Sequence, residues 1–121
     1  MIAPKARPPL EREIQAKIRL ALGSRPDVRL WRQGVGMART ESGTVMRFGE
    51  PGQADLSGIV APWGIRLEVE VKRPGEKPTD AQARWGRMIE RFGGIYIVAR
   101  SAEDAVAQLT AAIQERGPPA K

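Results

Sequence analysis

Three side chains of this chain, Asp55, Glu70 and Lys72, are of the types that hydrolyse phosphodiesters, and their spacing can bring them together. Residues 66–72 alternate so that Leu67, Val69 and Val71 point one way while Glu68, Glu70 and Lys72 point the other. Two carboxylates and an ammonium on one strand face can hold a hard divalent cation and steady an anionic transition state. Upstream, Asp55 opens a second apolar stretch, residues 56–60. Between the two stretches, Ala61-Pro62-Trp63-Gly64 reads as a turn with Pro second and Gly fourth. A two-residue loop at Pro62-Trp63 pairs Ala61 with Gly64, and counting outward sets Asp55 opposite Glu70, with Cβ atoms roughly 4.5–5.5 Å apart. The same count pairs Val60, Gly58 and Leu56 with Ile65, Leu67 and Val69 on the opposite, apolar face. Opposed carboxylates repel, so the arrangement gains nothing unless a cation or Lys72 lies between them. The plainer alternative is an edge strand whose charges discourage pairing.

Composition narrows the chemistry. The chain has 121 residues, the size of one domain, and contains neither histidine nor cysteine. Those absences remove Ser-His-Asp and Cys-His catalysis, thiolate and imidazole zinc sites, and disulfides. Acid-base or metal chemistry must rest on carboxylates and lysine, and oxygen ligands favour magnesium or manganese. The net charge of +6 suits a polyanionic partner such as nucleic acid. Arg29, Arg32, Arg39, Arg47, Arg66 and Arg73 recur through the middle of the sequence, which favours a folded basic surface over a basic tail. No apolar run reaches the length of a membrane span and no secretory signal is visible, so a cytoplasmic protein is expected.

The elements that must position these residues read as follows. Residues 1–9 are a Pro-rich, basic, flexible leader, residues 10–116 a single domain, and residues 117–121 a tail. Leu10, Ile14, Ile18, Ala21 and Leu22 form one stripe of a helix over 10–22. Residues 28–32 read as a strand, and 37–39 with 44–48 as the arms of a small hairpin around Glu41-Ser42-Gly43. After the two central strands, Thr79 begins a helix through Arg91, residues 95–99 form a buried parallel strand, and Ser101 caps a last helix to about Glu115. The strand-helix-strand order from 65 to 99 implies a right-handed crossover. The fold class is therefore α/β, a mixed central sheet flanked by helices.

An aspartate followed by a strand bearing Glu-x-Lys, in α-β-β-β-α-β order, resembles the PD-(D/E)xK nuclease superfamily with its restriction-endonuclease-like core. Ala54 stands where that motif usually has proline. Further pieces resemble one branch, the virus-type replication-repair nuclease (VRR-NUC) domain, over roughly residues 10–110. They are Glu11-Arg12-Glu13-Ile14-Gln15, Trp31-Arg32, residues 48–58, residues 68–72, Lys77-Pro78-Thr79-Asp80-Ala81-Gln82 with Trp85, and residues 93–98.

The resemblance implies a magnesium- or manganese-dependent endonuclease acting on branched DNA in a bacterial or phage-infected cell, working as a homodimer similar to Holliday junction resolvases. Asp55 and Glu70 would bind the metal, the Val71 carbonyl would complete its shell, and Lys72 would position water or balance phosphate charge. A first-helix glutamate often joins such sites. Glu11 falls within the apolar stripe and Glu13 outside it, so Glu11 is preferred, although acid in a helix's first turn is also favoured by the macrodipole alone. Gln82 has two roles open to it: near the catalytic group, or reaching back to the Thr79 amide in a capping box. Arg32, Arg39, Arg47, Arg73 and Lys77 are candidate DNA-phosphate contacts. Trp31, Trp63 and Trp85 read as packing residues. Glu68 lacks a place in the motif and reads as either backing the site or solvated. The competing functions are a non-catalytic basic DNA-binding module and a structural subunit of a larger replication or packaging assembly.

Overall fold

A computed structural model describes residues 7–34 and 36–117, without the side chains of residues 36, 37, 47 and 48. The leader expected over 1–9 and the tail over 117–121 fall mostly outside the described residues, as does the Arg47 side chain. The elements in order are α1 (Glu11–Gly23), β1 (Val28–Arg32), β2 (Gly36–Arg39), β3 (Val45–Phe48), β4 (Leu56–Val60), β5 (Ile65–Val71), α2 (Asp80–Arg91), β6 (Ile95–Ala99) and α3 (Ala102–Arg116). Four strands form a mixed sheet in the order β1-β4-β5-β6, while β2 and β3 pair as a separate hairpin. Setting that hairpin aside, the chain runs α-β-β-β-α-β with α3 added. No helix among the described residues is long and apolar enough to cross a membrane.

The register follows the sequence count. Leu56 pairs with Val69, Gly58 with Leu67 and Val60 with Ile65, and β6 lies parallel to β5 after the α2 crossover. Gly64 closes the β4–β5 turn with φ +67°, a backbone conformation open to glycine. Directly paired residues share a face, so the sheet has two very different sides. One carries Leu56, Val60, Leu67, Val69, Val71, Ile95, Ile97 and Ala99, all buried against Ile14, Ile18 and Leu22 of α1 and Ala105 and Leu109 of α3. That layer is the apolar core. The other carries Asp55, Ser57, Glu68, Glu70 and Tyr96, and α2 covers its β5–β6 half.

Helix α2 starts where the sequence says it should. The Thr79 hydroxyl accepts from the Gln82 amide at 3.2 Å, and Gly93, with φ +94°, lies just beyond the helix. Its inner face is unusual in placing a glycine, Gly86, against the Tyr96 ring, where a Cβ atom would overlap the ring carbons. This close approach lets α2 sit low on the sheet. Gly86→Ala should therefore lower stability by about 1–3 kcal/mol, as overpacking does. The check is the midpoint of urea unfolding, with an unchanged midpoint contradicting the close contact.

Candidate active site

The site lies where β4 begins and β5 ends. Asp55 precedes β4 and its carbonyl accepts from the Gln33 amide at 2.8 Å, which extends the β1–β4 ladder by one step. Its carboxylate Oδ2 accepts from the Val71 amide at 2.9 Å, fixing the side chain toward the end of β5. Gly52, with φ +79°, packs so closely on the first turn of α2 that a Cβ atom would strike the Ala81 carbonyl. The loop before Asp55 and the helix turn bearing Gln82 are thereby held together.

Glu70 is buried at 1% exposure on the central strand. Its Oε1 accepts from Gln82 Nε2 at 2.9 Å and lies 3.9 Å from Lys72 Nζ, and Lys72 itself is 8% exposed. Its Oε2 is buried with no hydrogen-bond partner. Burial pushes the Glu70 carboxyl up to about 8, the neighbouring Asp55 carboxylate adds to the rise, and Lys72 pulls it back. The pair therefore strains to hold two negative charges without a cation.

Of the two first-helix glutamates, Glu11 is the one within electrostatic reach of Asp55, although it does not join Asp55 and Glu70 in a three-carboxylate cage. Burial and then the Asp55 charge raise its carboxyl above the usual range, with Lys72 opposing, so it belongs to the same electrostatic cluster. Glu13 points elsewhere: it pairs with Arg7 at 2.7 Å and accepts from the Leu10 amide, which hold its carboxyl low. Gln82 fills both roles left open. Its Oε1 accepts from the Thr79 amide at 2.8 Å while its Nε2 serves Glu70, so the helix cap fixes the amide that orients the carboxylate.

Glu68 was the residue least legible from sequence. It is not solvated but 0% exposed. Its Oε1 accepts from Trp85 Nε1 at 2.8 Å, its Oε2 accepts from the Ser57 hydroxyl, and Arg66 Nε stands 3.5 Å from Oε2. Trp85 thus packs as expected, but with a polar tie to a buried charge. Tyr96, paired with Glu68 across β5–β6, donates its hydroxyl to the Gln82 carbonyl at 3.3 Å. Desolvation, then Glu70 and Asp55, raise that phenol above its usual value, so it stays protonated as a donor. The alternation of 66–72 gave the shared face of these residues, but not the helix that covers it.

The basic residues scatter. Arg73 is half-buried, lies near Glu11 and stands 3.8 Å from Glu76, while Lys77 is exposed on the following loop. Arg39 is exposed on β2. Arg32 pairs with Leu56, so it belongs to the opposite sheet face from Asp55 and Glu70.

Among the described residues, no three acidic side chains form a ready metal cage. The donors nevertheless fit magnesium or manganese, which take one or two carboxylates with other oxygens. Asp55 raises the Glu70 carboxyl as a near neighbour, Glu70 Oε2 lacks any partner, and the Val71 amide donates to Asp55 while the next backbone amide, that of Lys72, donates to the Ala99 carbonyl of β6 at 3.0 Å. The raised Glu70 carboxyl sets a sign for stability. Its folded value exceeds the unfolded one, so the metal-free protein should lose stability as pH rises from about 4.5 to about 8. Glu70→Gln should flatten that slope and raise Tm at pH 8 by several degrees. Thermal melts in chelator across this range provide the test, and a wild-type Tm that climbs toward pH 8 would contradict it. No protein-family model matches the chain and no curated protein matches it, so the residues of the site carry the functional reading.

Proposed function

We propose that the protein is a magnesium- or manganese-dependent endonuclease that hydrolyses DNA phosphodiesters. The observation that carries this reading is the buried Glu70 carboxylate, which faces the half-buried Asp55, has Lys72 Nζ 3.9 Å from one oxygen and leaves its other oxygen without a hydrogen-bond partner. Asp55 and Glu70, with the Val71 carbonyl, would hold the cation, and Glu11 stands near enough to tune its charge. When bound, the cation supplies Lewis acidity toward the phosphoryl group and lowers the pKa of water. The remaining work falls to the chain itself. Gln82 holds one Glu70 oxygen, which leaves the other for the cation. Lys72 places positive charge where negative charge grows on phosphorus, or positions the attacking water. Water adds its hydroxyl to phosphorus, the bond to the leaving oxygen breaks, and the proton passes to that oxygen.

The order of Asp55, Glu70, Lys72 and Gln82 in an α-β-β-β-α-β chain supports a VRR-NUC-type enzyme acting in the cytoplasm of a bacterial or phage-infected cell. We infer branched DNA as substrate and a homodimer as the acting unit, since a twofold pair of sites suits a symmetric junction. Phosphate contacts from Arg73, Lys77, Arg39 and Arg47 would make affinity fall with salt. The test is cleavage of four-way, flap, single-stranded and duplex DNA with each metal. Asp55→Ala, Glu70→Ala and Lys72→Ala should each cut activity by ~10²-fold or more, and Glu13→Gln should not. Undiminished cutting by Lys72→Ala or Glu70→Ala would overturn the reading.

A further inference from the structure

The half of the site-bearing sheet face that α2 leaves uncovered is not blank. Register places there the β1 and β4 ends of two rows of side chains, which run on to β5. Trp31, Ser57 and Glu68 lie side by side across β1, β4 and β5, and Arg29, Ile59 and Arg66 form the next row. Trp31 is 42% exposed and Ile59 43%, Arg29 is exposed, and the Arg66 side chain is 46% exposed. Glu68 and Ser57 are buried beneath this surface. What the face offers outward is therefore an indole, an isoleucine and two guanidinium groups, with the Glu68 charge already offset by Arg66.

These rows adjoin the carboxylates. Asp55 precedes Ser57 by two residues on the same face, so Trp31 is its diagonal cross-strand neighbour, roughly 7–8 Å away between Cα atoms. Arg29 lies two residues farther along β1, about 7 Å on. An exposed indole is a sequence-tolerant stacking platform for a base, and guanidinium groups beside it pair with phosphates. A base inside a closed duplex cannot stack on a protein ring, whereas an unpaired base can.

Resting on the nuclease reading, the geometry points to this strip as a single-strand track: an unpaired base next to the scissile phosphate stacks on Trp31, and Arg29 holds the phosphate beyond it, while Arg66 stays with Glu68. The charge of the strip favours a polyanion over an apolar protein partner, because the exposed Arg29 flanks a small apolar area and Arg66 leaves no net negative charge beneath it. The track gives a physical ground for choosing DNA with unpaired bases beside the cut. It also moves the expected phosphate contact from Arg32, on the far face, to Arg29.

The test is binding without divalent metal, read separately from cleavage. Fluorescence anisotropy in chelator uses a labelled oligothymidylate and a blunt duplex of equal length, with wild type, Trp31→Ala, Trp31→Phe and Arg29→Ala. Trp31→Ala should weaken oligothymidylate binding about 5- to 150-fold, Trp31→Phe should keep most of it, and duplex binding should change less than the single-strand binding. Arg29→Ala should weaken both and reduce their salt dependence. Because both residues are exposed, circular dichroism should show the variants folded. Wild-type affinity in Trp31→Ala overturns the track, as does a Trp31→Ala protein whose mass by light scattering falls from dimer to monomer while DNA affinity is kept, which would make the strip a protein interface. If wild type cuts no substrate yet shows Trp31-dependent single-strand binding, the nuclease reading fails and the track stands.

Discussion

Two carboxylates buried on the middle of one strand are the constraint around which the rest of this protein is arranged. β5 lies between β4 and β6, so Glu68 and Glu70 reach no bulk water along the sheet, and α2 closes the space above them. A charge so placed costs several kcal/mol unless it is paired and hydrogen-bonded. The two residues meet that cost differently. Glu68 is fully occupied by Ser57, Trp85 and Arg66. Glu70 is half-occupied, by Gln82 and by Lys72 at 3.9 Å on one oxygen, and is left facing Asp55 with the other oxygen unserved. The first carboxylate is satisfied within the fold, and the second keeps one oxygen without a partner.

The two roles depend on each other through α2. Trp85 fastens the helix to Glu68, and three residues earlier on the same helix Gln82 reaches Glu70. Tyr96 secures the Gln82 carbonyl from β6, and Gly86 lets the helix come down on the Tyr96 ring. On the other side, Gly52 presses the loop before Asp55 against the Ala81 carbonyl. The position of α2 and of Gln82 above Glu70 therefore traces to close backbone contacts that glycines permit and to hydrogen bonds on Glu68 and Glu70. The apolar core beneath, between the sheet and α1 with α3, supplies the burial that makes these demands strict.

Much of this was legible in the residues. The Pro62-Trp63 turn and period-two alternation set the β4–β5 register, because a tight loop leaves one count that buries Leu56, Leu67 and Val69 together. The stripe on α1 set Glu11, which feels the Asp55 charge, apart from Glu13, which pairs with Arg7. Gln82 showed both of its functions, and sequence could not choose between them because both are used at once. Other parts were hidden for physical reasons. Alternation says that Glu68 and Glu70 share a face, but whether that face meets water depends on a helix whose Trp85 is 17 residues away from Glu68. The facing of Trp31 and Arg32 depends on β1 pairing with β4 across a long excursion through β2 and β3, and no tight turn fixes that register. Trp31 consequently read as packing and Arg32 as a phosphate contact, while the sheet exposes Trp31 on the site face and puts Arg32 on the other.

The proposed divalent-cation site at Asp55 and Glu70 is tested most directly by calorimetric titration with manganese near pH 8. Wild type and Glu13→Gln should show a saturable site, and Asp55→Asn and Glu70→Gln, which keep the shape and most hydrogen bonds, should lose it. Absence of saturable binding in wild type, or undiminished binding in Glu70→Gln, would contradict the account.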